Sequence, residues 1–258
     1  YLYSVVSESE FVPRVAHVGN CGTLGFVVST ISYAFIYKCA GLSGLLVATI
    51  VASAIGVLVS FGLQKEHKKE KTHAECPMKA REFYREICSG KTIVIIILLA
   101  CINIAFILIN FFYVDKLQVC GMDERWMTPI ILGYSVIQLL AEFILKRIDE
   151  KRHSLLFMIS FSVAGICMLL FGITVQVVAV ILFMLSLPLL LDIPAYILDG
   201  IQNEWIDRIE QEDKRAELLS VFNMGVNLVE IVFLFVSASV ADAGASTCYC
   251  VLGVLMLM

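Results

Sequence analysis

Glu230 lies near the middle of one apolar run and Asp192 roughly two turns from the end of another. Carboxylates are costly in hydrocarbon and by default mark a pathway or a site. Low dielectric disfavours the ionised form, so such a group can exchange a proton near neutral pH. Proton-coupled movement of a solute requires that property. The neighbouring polar residues fall on helix faces. Ser220, Asn223, Asn227 and Glu230 follow spacings of three, four and three, which align on one side of a helix. Tyr134, Gln138 and Glu142 run at i, i+4 and i+8, and Asn103 and Asn110 are seven apart and aligned. Asp192, Tyr196 and Asp199 share a face, with Pro188 and Pro194 interrupting backbone hydrogen bonding around the acid. Broken helices near a bilayer midplane are where transporters build sites.

These patterns nominate Asn103, Asn110, Tyr134, Gln138, Asn223 and Asn227 as residues lining a cavity. Glu230, Asp192 and Glu142 are the candidate proton-coupling acids, and Phe106 and Tyr134 could add aromatic surface. A plainer reading stands beside this one. Amides also serve as packing glue between membrane helices. Glu142, one turn from Lys146, and Asp199, at a span edge, read first as interfacial acids paired with basic neighbours.

Metal and nucleophile chemistry find no such spacing. The nine cysteines are scattered, and Cys21, Cys101 and Cys167 sit in apolar blocks, where thiols behave as small hydrophobes. Cys248 and Cys250 form a C-x-C without a second pair. His67, His73 and Cys76 share a loop that lacks a fourth ligand. No metal and no cofactor are expected. An integral-membrane acyl- or glycosyltransferase would need histidine–acid pairs, which His17, His67, His73 and His153 do not form. A non-transporting receptor subunit is the other alternative class.

The elements that position these residues follow from composition. Hydrophobic residues make up 59% of 258, charged residues 16%, and mean hydropathy is +0.87. A soluble domain carries about 25% charged residues. The apolar residues gather into blocks of membrane-crossing length, and runs such as Ile93 to Phe112 do not alternate as barrel strands would. The expected fold is an all-α polytopic transmembrane bundle of about eight spans. The expected spans are Val18–Tyr37, Leu42–Leu63, Thr92–Val114, Met127–Leu145, Leu155–Ile173, Gln176–Leu198, Ala216–Val240 and Gly244–Met258.

Basic residues set the orientation. Arg14, the loop from Lys65 to Lys91, the loop Lys146, Arg147, Lys151 and Arg152, and the loop Arg208, Lys214 and Arg215 fall on one side. Lys38, Lys116 and Arg125 fall on the other. Sixteen of the 19 therefore share a side, which makes it cytoplasmic. A membrane-surface segment is expected around Met78 to Ile87. The organisation expected is two helices over 1–63, a cytoplasmic linker over 64–91, and a six-helix half over 92–258. The chain opens without an initiator methionine and closes inside an apolar run, so it is expected to be part of a longer protein with both ends cytoplasmic. A net charge of −4 suggests no nucleic-acid partner.

Spans Leu42–Leu63, Leu155–Ile173 and Gly244–Met258 hold no acid or amide, which separates lipid-facing helices from those able to face a cavity. Local features then carry a resemblance. Leu2-Tyr3-Ser4 is followed by Glu8, Glu10 and Arg14, Lys146 to Arg152 forms a short basic loop, and Asp213-Lys214-Arg215-Ala216-Glu217-Leu218-Leu219-Ser220 leads into a span. With one long basic loop before six spans, this layout resembles the major facilitator superfamily. On that register the chain corresponds to helices five to twelve, and the three spans without acids or amides match peripheral helices. Gly19, Gly22 and Gly25 stand in the first span without the Gly-Pro pair common in antiporters.

The resemblance implies a secondary active transporter that moves a small solute across the lipid bilayer by alternating access. It implies a monomer in the plasma membrane, with Lys146, Arg147, Lys151 and Arg152 as a cytoplasmic gating loop. Leu2-Tyr3-Ser4 with Glu8, Glu10 and Arg14 resembles the approach to helix five in facilitators of the drug-exporter type, which makes export a variant. Proton coupling rests on the buried acids. Without the Gly-Pro pair drug–proton antiport has no support in detail, and the sequence leaves substrate, direction and coupling ion open.

Overall fold

A computed structural model describes residues 8–62, 89–209, 215–240 and 245–258. Most of the expected linker lies outside these residues, including His67, His73, Cys76 and the expected surface segment, as do Asp213 and Lys214. Eight helices make up the described chain: α1 (Glu8–Ser60), α2 (Gly90–Val119), α3 (Met127–Gln138), α4 (Leu140–Arg147), α5 (His153–Ile173), α6 (Val177–Ile209), α7 (Arg215–Val240) and α8 (Ala245–Leu257).

Helix α1 is two helices joined at Gly41, whose φ of 62° and ψ of −159° lie in a region open essentially to glycine alone. The chain folds back there, so that Ser29, Tyr33 and Ile36 share a groove with Leu45, Thr49 and Ala52. Ser89 caps the start of α2 by accepting from the Thr92 amide. Its far end closes with paired bonds from Gly121 N to Gln118 O at 2.8 Å and Met122 N to Leu117 O at 3.0 Å. This Schellman arrangement is completed by Gly121 at φ 85°. Asp123 caps the turn that follows. The Arg125 side chain, with its backbone amide, holds that carboxyl below the ordinary carboxylate range.

Among the described residues six stretches are long and apolar enough to cross a membrane: Phe35–Ser60, Gly90–Val119, Glu124–Arg147, Glu150–Ile173, Val177–Ile206 and Leu218–Val236. Ser246–Leu257 is a shorter apolar helix. The expected span Val18–Tyr37 lies wholly within helix α1. Helices α2 and α6 also run past the ends expected for them, to Val119 and Ile209, where residues of each extension pack against other helices. Lys116 is 2% exposed and donates to the Gly172 carbonyl at 2.7 Å and to Ser246 Oγ at 3.0 Å. It thereby ties α2 to the end of α5 and the start of α8 instead of lying in a solvated loop. Trp205 stacks edge-on to Phe222 of α7 at 5.6 Å.

Helix α6 sits at the centre, touching α1, α2, α3, α4, α5 and α7, with Val180, Met184, Leu187 and Leu191 fully buried. It stays helical through Pro188 and Pro194, so the break in the backbone expected beside Asp192 does not occur there. The break lies instead at Leu139, between α3 and α4. Asn20 Nδ2 donates to the Leu139 carbonyl at 3.0 Å, and a side chain that takes a carbonyl from the ladder is an ordinary cause of such a break.

Without a hydrophobic drive between helices in lipid, small residues that let backbones approach decide packing. Helices α5 and α8 meet in this way. A Cβ on Gly253 would lie 2.7 Å from the Leu169 nitrogen and 2.8 Å from the Gly165 carbonyl, and one on Gly172 would lie 2.9 Å from the Ser246 carbonyl. Tyr249 of α8 reaches the Leu108 carbonyl at 2.9 Å and packs edge-on against Phe171 at 4.8 Å.

Candidate functional site

The site is built where α1, α2 and α3 converge. Their facing residues enclose a cavity of about 470 Å³ lined by Gly22, Thr23 and Phe26 of α1, Phe106, Asn110 and Tyr113 of α2, and Ile131, Tyr134, Ser135 and Gln138 of α3. That volume is in the range of small-molecule pockets, roughly 300–1,000 Å³. The i, i+4 spacing of Tyr134 and Gln138 puts both on the wall, and α2 supplies Phe106 and Asn110 one turn apart.

Behind the wall lies Asp192 of α6, 4% exposed. Gln138 Nε2 donates to its Oδ1 at 3.2 Å. Its Oδ2 is buried without a hydrogen-bond partner among the described residues, and so is the Oη of Tyr134, itself 4% exposed. Buried polar atoms are nearly always paired, so two orphans in one place call for an explanation.

A second polar cluster joins α1 to α4. Glu142 accepts from Asn20 Nδ2 at 2.7 Å, lies 2.8 Å from His17 Nδ1, and pairs with Lys146 one turn on. Arg147 rests over the Phe143 ring, 3.9 Å from its centroid, while Lys151 and Arg152 stand exposed in the turn before α5. Gly19 approaches the hydroxyl of Tyr196 so closely that a Cβ there would collide with it. Asn20→Ala removes the bonds to both Glu142 and Leu139. It should lower thermal stability by about 1–2 kcal/mol, read as a downward shift of the melting transition in detergent. An unchanged transition would mean that the α1–α4 contact contributes nothing.

The remaining residues nominated by spacing lie elsewhere. Asn103 donates to Glu230 Oε1 at 2.8 Å between α2 and α7. Asn223 and Asn227 are exposed along α7. Asn103 and Asn110 do share a face of α2, but seven residues also separate them by about 10 Å along the axis. They therefore meet different neighbours. The structure thus brings together Asn110, Tyr134, Gln138 and Asp192, and leaves Asn103, Glu230, Asn223, Asn227 and Glu142 outside that group. Sequence reasoning missed Thr23, Tyr113 and Ser135. Thr23 and Ser135 are one turn, three residues, from Asn20 and Gln138, and Tyr113 is three from Asn110. A search for hydroxyls beside membrane amides would have found all three.

A many-span helical bundle with an open cavity between its helices, lined by rings, amides and hydroxyls, fits a membrane transport protein. The family model of the Major Facilitator Superfamily matches residues 1–233, and the chain belongs to that superfamily. Comparison with curated proteins and with solved structures gave no match. Membership and the apolar helices make this a multi-pass membrane protein of a transporter family that handles small solutes.

Proposed function

We propose that the chain performs secondary active transport of a small solute by alternating access, with the α1–α2–α3 cavity as the solute site and the proton as coupling ion. The observation that carries this reading is the meeting of Asn110, Tyr134 and Gln138 on one cavity wall, backed by a buried acid that Gln138 touches. Of the three candidate acids Asp192 best fits coupling. Glu142 is held by three partners, and Glu230 is bonded to Asn103 away from the cavity. An acid one side chain removed from the solute lets occupancy and protonation influence each other through Gln138.

The basic turn from Lys146 to Arg152 fits a gate. Glu142 links it to α1 through His17 and Asn20, so rocking of α1 against α4 would exchange those contacts. The gate would face the cytoplasm of a plasma-membrane protein, with export as the direction of flow, and the transporting unit would be the monomer.

The test is proton movement in proteoliposomes. A solute that stabilises the purified protein against heating is added outside, and lumenal pH is followed with a trapped dye. Solute-dependent pH change, absent from protein-free vesicles, is expected. Binding without translocation would make this a receptor, and translocation without pH change would remove the proton.

A further inference from the structure

Glu142 of α4 holds three side chains, and two of them come from α1. Asn20 Nδ2 donates to its Oε2 at 2.7 Å, and His17 Nδ1 stands 2.8 Å from its Oε1. The third, Lys146, lies one turn along α4 itself and so bridges nothing. The bonds that carry Glu142 across to α1 are therefore those of Asn20 and His17. A carboxamide does not change its charge with pH, and an imidazole does.

Histidine is the side chain whose ordinary charge change falls between pH 5 and 8. Its neutral ring has one N–H, on either nitrogen, whereas the protonated ring has both. An ionised carboxylate only accepts, so the 2.8 Å contact needs the proton on Nδ1. The protonated ring always has it there, and the bond then carries charge at both ends, which strengthens it. The His17 side chain is 54% exposed and that of Glu142 13%, so solvent protons reach the ring while the carboxylate is sheltered. Lys146 shares Oε1, yet it is itself 54% exposed and can turn into water as the ring gains charge.

Other titratable groups border the contact. On α6 Tyr196 meets Gly19, with the charges of Asp192, Asp199 and Glu142 acting on it, and α3 contributes Tyr134. Arg14 stands exposed one turn before His17 on α1. Among the described residues Glu142 alone is bonded to the ring.

We infer that protonation of His17 latches α1 to α4 and holds the cytoplasmic mouth of the protein shut, a regulation that rests on this contact being the gate.

The test reads how fast the cavity is reached from the gate side. The full chain, freed of its nine cysteines and given Asn110→Cys, is placed in inside-out vesicles with the gate turn facing outward. A membrane-impermeant thiosulfonate is applied at pH 5.5 and pH 7.5, each roughly one unit from the ordinary imidazole value. Every labelling rate is divided by that of His17→Gln at the same pH. Glutamine keeps a donor for Glu142 without a titrating charge, and the reporter thiol is the same. The quotient is expected to fall about threefold from pH 7.5 to pH 5.5, the weight of a partly exposed ion pair. His17→Arg, charged at both values, should give the lower quotient at both. His17→Asn replaces the reference should glutamine disturb assembly on size exclusion.

A quotient equal at the two pH values, or rising on acidification, overturns the latch. The gate reading fails separately. Glu142→Gln removes the charge from the contact and should speed labelling at both pH values. If it does so and the quotient is flat, only the role of His17 is wrong. If it leaves labelling unchanged, or if Asn110→Cys never labels from this side, the α1–α4 contact is not the gate and the latch falls with it.

Discussion

Asp192→Asn is expected to reduce proton-driven accumulation of solute to the level of protein-free vesicles while leaving solute binding in place. Asparagine keeps the size of the side chain and an acceptor oxygen for Gln138 Nε2, which sits 3.2 Å from Asp192 Oδ1. It cannot take up or release a proton. The position is almost wholly buried, and an amide is isosteric with a protonated acid. The helices should therefore pack as before, without the cost of an uncompensated charge.

Accumulation is measured with an imposed pH gradient, and exchange of labelled for unlabelled solute is measured without one. Loss of the first with retention of the second is the proposed pattern. Accumulation equal to wild type would take coupling away from Asp192. Glu230→Gln is the matched comparison, because glutamine keeps an acceptor for Asn103 and the position lies away from the cavity. Accumulation should survive it.

Gly253→Leu is expected to separate α5 from α8. The first atom added would stand 2.7 Å from the Leu169 nitrogen, 2.8 Å from the Gly165 carbonyl and 2.9 Å from the Leu169 Cβ. Two of the three are backbone atoms, which cannot rotate away. The helices must move apart, and with them go the Tyr249 bond to Leu108 and the Lys116 bridge between Gly172 and Ser246. Overpacking of this kind costs about 1–3 kcal/mol, occasionally more. The melting transition in detergent should fall and aggregated material should rise on size exclusion. Gly56→Ala, where an added Cβ meets nothing within 4 Å, should leave both unchanged. An unshifted transition for Gly253→Leu would mean that the α5–α8 approach is looser than described.

Much of this was legible in residue order. Blocks of apolar length and the alternation of basic loops fix an all-helical membrane bundle, because hydrocarbon permits few other backbones. Spacing placed Tyr134 and Gln138 on one face, since helical geometry is local. It could not say which helix each face would meet. Asn103 and Asn110 are in register on α2, yet one faces Glu230 and the other the cavity. Neither choice is encoded within α2 itself. The break at Leu139 escaped for the same reason, as it depends on Asn20 arriving from α1. The prolines were the visible signal for a broken helix, but α6 absorbs both. The close approach of the α5 and α8 glycines was not readable either, since it exists only once the two helices meet.

Access to Asn110 from each side of the membrane tests alternating access most directly. The nine native cysteines are replaced, Asn110→Cys is introduced, and a membrane-impermeant maleimide is applied to vesicles first from one face and then from the other. Labelling from both faces, with bound solute shifting the balance between them, is predicted. Labelling from neither face, or from one alone whatever solute is present, would contradict it.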